Sequence, residues 1–198
     1  GEYGEIHRTK LTFEEIPEDL VNAFLAAEDS GFFSNTGVDF FSLLRATYEF
    51  VKEGRIVSGG GTITMQVARN YVLSQEQTFE RKIKEIFMAF KLNLSFSKEE
   101  IFELYVNQIF LGNRAYGIAA ASEIYYGKKL SELSLAQKAM IASLPKAPSR
   151  INPLANPRRA LIRRNWVLTR MEALDYIDSQ SFDISVKEPI TATFKGVS

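Results

Sequence analysis

The sequence predicts a mainly α-helical domain, and three observations lead there. Apolar residues recur at helical spacing along most of the chain. Serine-led capping boxes open several of those runs. Glycines and prolines punctuate them at helix-length intervals. With 198 residues, 45% apolar and 24% charged, the chain is long enough to bury a core of its own. Lys+Arg and Asp+Glu are 24 each, so no net charge draws the whole molecule to nucleic acid. The lack of cysteine excludes disulfides and thiolate metal sites. The single histidine, His7, lies near the terminus and is a poor catalytic candidate. No run approaches the roughly 20 apolar residues of a spanning helix. Gly1 in place of Met fits a segment excised from a longer protein.

In chain order, residues 1–13 alternate weakly and suit a short strand or an extended arm. Pro17 opens a helix with Leu20, Val21, Phe24 and Leu25 on one face, ending near Asp29. That end carries Glu28-Asp29 between apolar residues and a Phe- and Gly-containing stretch. A carboxylate so placed either ends a helix in water or is desolvated, with its proton affinity raised toward working pH. Residues 39–53 form a helix whose Phe40, Phe41, Leu43, Leu44, Tyr48, Phe50 and Val51 surround nearly the whole axis. It is either buried on all sides or applies one face to a lipid surface. Gly54 to Gly61 is a flexible loop, and Thr62 to Asn70 a short helix. A glycine-rich entry to a helix suits an anion weakly, and no Walker lysine pattern accompanies it.

Ser74 and Gln77 form a capping box that opens the clearest helix. Phe79, Ile83, Ile86, Phe87, Phe90 and Leu94 share one face. Arg81, Lys82 and Glu85 share the opposite face, flanked by Lys84 and Lys91. That face is either a solvated set of ion pairs or a cationic wall with one acid, suited to phosphate and a divalent metal. Ser97 with Glu100 caps a helix through Ile109, which stops near Gly112. A small-residue helix spans Gly117 to Tyr126 and ends at Gly127. Ser134 with Gln137 caps another through Ile141. Leu144 to Pro148 and Asn152-Pro153 are rigid turns. Pro157 opens a last long helix whose Arg158, Arg159, Arg163 and Arg164 are expected on the surface. From Asp178 the pattern weakens to the alternation of a strand or linker.

Five ordered motifs together resemble one family, the peptidoglycan glycosyltransferase domain of bifunctional, class A penicillin-binding proteins. They are Glu28-Asp29-x-x-Phe32 with Gly37; Gly59-Gly60-Gly61-Thr62-Ile63-Thr64-x-Gln66; Arg81-Lys82-x-Lys84-Glu85; Glu103-x-Tyr105-x-Asn107-x-Ile109-x-x-Gly112-x-x-x-x-Gly117; and Ala142-x-Leu144-Pro145-x-x-Pro148 with Asn152-Pro153. The resemblance covers roughly residues 1–176, leaving 177–198 as the start of a linker. It implies a lysozyme-like helical fold with a small hydrophobic, membrane-facing lobe at about residues 38–72. It implies polymerisation of lipid II, with the growing glycan chain as donor and a polyprenyl pyrophosphate as leaving group.

By resemblance, Glu28 is the general base for the acceptor hydroxyl, and Glu85 orients a lysine or holds a divalent metal. Arg45, Arg69, Lys82 and Lys84 meet the pyrophosphate, while Gly60, Thr62, Gln66 and Asn107 shape the substrate sites. Mg or Mn is the one cofactor implied, with no organic cofactor. The partners implied are lipid II, the growing glycan chain, a membrane surface and cell-wall synthesis proteins, with no nucleic acid. The implied location is the outer face of the bacterial cytoplasmic membrane. The chain departs from the family pattern at Ser30, where a basic residue is usual, at Arg69, where lysine is usual, and at Asn35, where histidine is usual. It departs also at Gly61 (serine), Met65 (glutamine) and around Gln77 (arginine). Two other functions remain open on the sequence: a catalytically weak lipid II-binding or scaffold domain, and a lysozyme-like glycan hydrolase.

Overall fold

The structure is a computed structural model that describes residues 10–54, 61–72 and 78–195. Nine α-helices occur among them: α1 (Glu18–Glu28), α2 (Phe40–Glu53), α3 (Ile63–Arg69), α4 (Phe79–Ser95), α5 (Lys98–Gln108), α6 (Ile118–Tyr126), α7 (Leu135–Ser143), α8 (Pro157–Ala173) and α9 (Ser179–Lys187). The only β-type pairing among the described residues is an isolated bridge between Phe110 and Tyr116. The mainly helical prediction therefore holds.

The helix buried on all sides is α7, not the 39–53 segment. Every residue from Ala136 to Ser143 is buried, and α1, α6, α8 and α9 surround the helix. Its capping box is formed as the sequence predicts, with Ser134 accepting from Gln137 N. Helix α1 lays Leu20, Val21, Phe24 and Leu25 into this core, and Phe24 meets Phe102 and Tyr105 of α5 edge-on. The arm before α1 is fastened by side chains rather than by a strand. Asn107 receives Leu11 N and donates to Leu11 O, both at 2.9 Å. Glu103 accepts from Phe13 N at 2.8 Å.

Helix α4 splits its apolar stripe, with Ile86 and Phe90 half-buried against the core. Its buried residues are Glu85, Ala89 and Leu92, whereas Phe79, Ile83, Phe87 and Leu94 are exposed, the last at 87%. The helix starts at Phe79 under a Thr78 cap; the Ser74–Gln77 box lies outside the described residues. Helix α2 has no buried residue at all. Its Phe40 lies 6.2 Å from Phe90 and its Phe50 stacks 6.0 Å from Phe79, so α2 runs antiparallel beside α4. Phe41, Leu44, Tyr48 and Val51 face outward with the α4 stripe. Of the two readings of 39–53, burial on all sides is excluded, and the exposed apolar surface extends beyond residue 72 onto α4. Within 38–72, by contrast, α3 is buried and packs on α4 and α5.

Gly37 lets the loop after α1 press against α4. Its φ is +88°, and a Cβ there would stand 2.9 Å from Ala89 O. At the far end, the segment read as strand or linker contains helix α9, capped by Asp178. Arg164 ties it to α8: it is 1% exposed and donates to Asn165 Oδ1 and to the carbonyls of Ser185 and Val186. The surface expectation for the four arginines is therefore wrong for Arg164, while Arg158 and Arg159 are exposed as expected.

Candidate active site

Glu28 is the last residue of α1, where the helix dipole disfavours a negative charge. Its Oε2 accepts from Gln66 Nε2 of α3 at 3.2 Å. Its Oε1 is buried and has no partner among the described residues. Burial pushes its carboxyl up; the Gln66 hydrogen bond and the charges of Arg163, Lys146 and Arg69 pull the other way. A carboxyl with raised proton affinity, one free oxygen and cations nearby is equipped to take a proton from a hydroxyl. Beneath it lies the Tyr105 hydroxyl, also buried without a partner. Burial, and then the nearby charges of Glu28 and Asp29, hold that phenol well above its ordinary range.

Glu85 organises a second group of charges. Arg81 Nε lies 3.1 Å from Oε1, while Arg69 Nε and Lys82 Nζ each lie 3.4 Å from Oε2. The carboxylate is only 5% exposed and its partners are 21–32% exposed. Three cations around one anion give these side chains a summed charge of +2. Lys82 is pulled below the usual ammonium range by burial and then by Arg69. Helix α3 joins the two groups, since Gln66 reaches Glu28 and Arg69 reaches Glu85 one turn later.

The cationic wall read from the sequence is therefore a built feature, because Glu85 turns inward and gathers its partners. The structure does not bring every predicted residue to it. Lys84 pairs with Glu80 at 2.6 Å on the exposed side of α4. Arg45 is exposed on α2, where its charge acts on Asp39. Thr62 is buried; its hydroxyl donates to Gly37 O at 2.6 Å and accepts from Met65 N, capping α3. Asn107 uses its amide on Leu11 and on Glu103 O. It lines a cavity of about 990 Å³ between the arm, α5 and α6, and none of Glu28, Gln66, Arg69, Lys82 and Glu85 lines that cavity. Gly60 lies outside the described residues.

Two cations near Glu28 escaped the sequence reading. Arg163 of α8 is half-buried, with its guanidinium 4.0 Å from the Trp166 ring centroid and its Nε without a partner among the described residues. Lys146 follows α7 in the Leu-Pro turn. The Arg163–Trp166 spacing of three residues was the available signal, since it places guanidinium and indole on one helix face. The surface expectation thus fails for Arg163 as well as Arg164.

The residues at Glu85 do not fit a protein-held divalent ion. Both its oxygens already face cations, and a metal there would meet three positive side chains. Among the described residues, no three His, Cys, Asp or Glu side chains group in a way that could hold one.

Comparison with known proteins identifies the family of the chain. The sequence profile of the family described as "Transglycosylase" matches residues 1–172. Penicillin-binding protein 1A of Pseudomonas aeruginosa is 54% identical over 98% of this chain, which corresponds to 24% of that protein. The Escherichia coli protein of the same name is 47% identical over 98% of the chain and 23% of its own length. The crystal structure of penicillin-binding protein 1A from Haemophilus influenzae superposes with a TM-score of 0.57 and 32% identity, covering 98% of this chain and 19% of that one. The chain thus spans about a quarter of the length of the curated relatives it matches. It belongs to the transglycosylase family, the peptidoglycan glycosyltransferases carried by class A penicillin-binding proteins.

Proposed function

We propose that this domain polymerises lipid II by inverting transfer. Glu28 Oε1 takes the proton of the acceptor hydroxyl as that oxygen attacks the donor anomeric carbon, and the polyprenyl pyrophosphate leaves. The observation that carries the reading is the pairing of a desolvated, half-satisfied Glu28 with three cations fixed by Glu85. A departing pyrophosphate gathers negative charge, and Arg69, Arg81 and Lys82 meet it with cations already in place. Glu85 serves as their anchor. Its engaged carboxylate is a poor second acid for a hydrolase, which disfavours glycan cleavage. The Mg or Mn ion expected from the resemblance is given no protein site in this reading, and no step depends on it.

The exposed apolar surface of α2 and α4 supports docking on a bilayer at the outer face of the cytoplasmic membrane, where a polyprenyl donor resides. No helix among the described residues is long and apolar enough to cross a membrane. The test is polymerisation of lipid II by the purified chain beside Glu28→Gln. Polymer that vanishes in a folded variant supports the reading. Equal rates from both would remove Glu28 from the mechanism, and release of reducing ends from finished glycan would replace the transferase with a hydrolase.

A further inference from the structure

Asp29 follows Glu28, and the proposed chemistry makes no use of its carboxylate. Its surroundings nonetheless tie three helices together. Asp29 Oδ2 accepts from the backbone N of Ile63, the first residue of α3, at 3.1 Å. Both oxygens accept from Asn35 Nδ2, at 3.1 and 3.2 Å. The same amide turns its oxygen the other way, accepting from Gly37 N at 2.9 Å and from Lys98 Nζ at 3.1 Å. Lys98 is the first residue of α5, and its ammonium lies 5.0 Å from the Phe32 ring centroid. A neutral amide thus sits between an ammonium and a carboxylate, where the end of α1 meets the starts of α3 and α5.

We propose that Asn35 and Lys98 are positioning residues for the reaction at Glu28. The Asn35 amide relays the Lys98 charge to Asp29, and ionised Asp29 holds the start of α3 so that Gln66 meets Glu28. The proposal rests on the reading of Glu28 as the base. As a carboxylate Asp29 accepts through both oxygens, and its charge strengthens the bonds from Ile63 N–H and the Asn35 NH₂; a proton on Oδ1 would set a donor against the Asn35 NH₂ and loosen the clamp. Burial pushes the Asp29 carboxyl upward; the Ile63 N–H, the Asn35 amide and the Lys98 charge draw it back, and Asp39 opposes them. Glu28 and Tyr105 are the other titratable groups close by. The amide has no proton to gain or lose near neutral pH, so the relay is set by Asp29 and Lys98 alone. A shift of α3 would move Gln66 and Arg69 together, because both lie on that helix.

The experiment combines Lys98→Met and Asn35→Ala, singly and together, in the full chain. One readout is the carboxyl NMR titration of Asp29, which needs no substrate. The other is the pH profile, kcat and KM of lipid II polymerisation. Lys98→Met is expected to move the Asp29 titration, and the acid limb of the rate, to higher pH. It is expected to lower kcat about three- to tenfold with KM nearly unchanged, as for a displaced catalytic group. With Asn35→Ala already present, Lys98→Met is expected to move the titration clearly less, because only the through-space part of the Lys98 charge is left. Where Asn35→Ala does not fold, Asn35→Leu keeps the volume without donor, acceptor or charge, and the same reduced effect is expected. An Asp29 titration indifferent to Lys98→Met, or shifted equally with and without Asn35, overturns the relay. A wild-type chain that makes no polymer overturns the functional reading instead, and the titration still judges the relay.

Discussion

Gln66 Nε2 stands 3.2 Å from Glu28 Oε2, while Glu28 Oε1 lies buried with no partner among the described residues. The carboxylate is therefore held by one oxygen and left open at the other. Gln66 stabilises the ionised form, against burial. Replacing it with Leu removes that hydrogen bond and raises the Glu28 carboxyl further. A base works only when ionised, so the acid limb of the rate must move to higher pH. At neutral pH the expected loss is about tenfold, the scale of one hydrogen bond to a charged group. A rate–pH profile of Gln66→Leu that overlays the wild type would show that the contact does not tune the base.

Glu85 poses the opposite case, an acid whose work is to hold cations. Glu85→Gln leaves Arg69, Arg81 and Lys82 crowded without the Glu85 charge between them. The partners keep some solvent, so the cost is below that of a fully buried pair, about 1–3 kcal/mol. Thermal unfolding should show that loss. Binding of inorganic pyrophosphate, measured by calorimetry, should keep its charge dependence while its enthalpy changes as the cations lose their fixed positions. Unchanged stability would mean that Glu85 does not anchor the wall.

The outward stripe of α2 and α4 makes a separable prediction. Phe41 is 85% exposed, Phe87 71% and Leu94 87%. Changing these to Ser removes little packing, so stability should stay within about 1 kcal/mol. Co-sedimentation with lipid vesicles should nevertheless fall sharply, because the apolar area that enters the interface is lost. Stability that collapses instead would identify the stripe as core.

How much of this was legible in the sequence depended on the residue. Glu28, Gln66 and Arg69 were legible through the family resemblance, and Lys82 and Glu85 also through helix spacing, which put them on one face with Arg81. The orientation of α4 could not. A six-residue apolar stripe opposite Arg81, Lys82 and Glu85 reads as a buried face under the ordinary rule that apolar residues go inside. The rule fails in part: Ala89 and Leu92, with half-buried Ile86 and Phe90, pack α4 inward beside Glu85, whose charge is satisfied internally, while Phe79, Ile83, Phe87 and Leu94 are left outward. Arg163 and Arg164 were hidden for a related reason. The Glu28 charge that acts on Arg163 and the carbonyls of Ser185 and Val186 that Arg164 bonds are distant in sequence. Residues 179–187 alternate in polarity, yet the Asp178 cap and the contact with α8 make them helical.

The last prediction follows from the sign of the Glu28 shift. Its folded carboxyl is raised above the ordinary value of 4.5, chiefly by burial. An acid raised in this way costs stability wherever it is ionised in the folded state. The cost is absent when both states are protonated, below the ordinary carboxylate range, and grows as pH rises through the folded value. Glu28→Gln removes the charge and keeps an oxygen that can accept from Gln66. The variant should therefore be more stable than the wild type at neutral pH, by about 1 kcal/mol or a few degrees in Tm. The advantage should fade below about pH 4, where the native carboxyl is also neutral. This exchange of stability for chemistry is expected of a group desolvated for catalysis. A Glu28→Gln protein less stable than wild type at neutral pH would show that the native carboxylate is favourably solvated, and would remove the physical basis for treating it as a base of raised affinity.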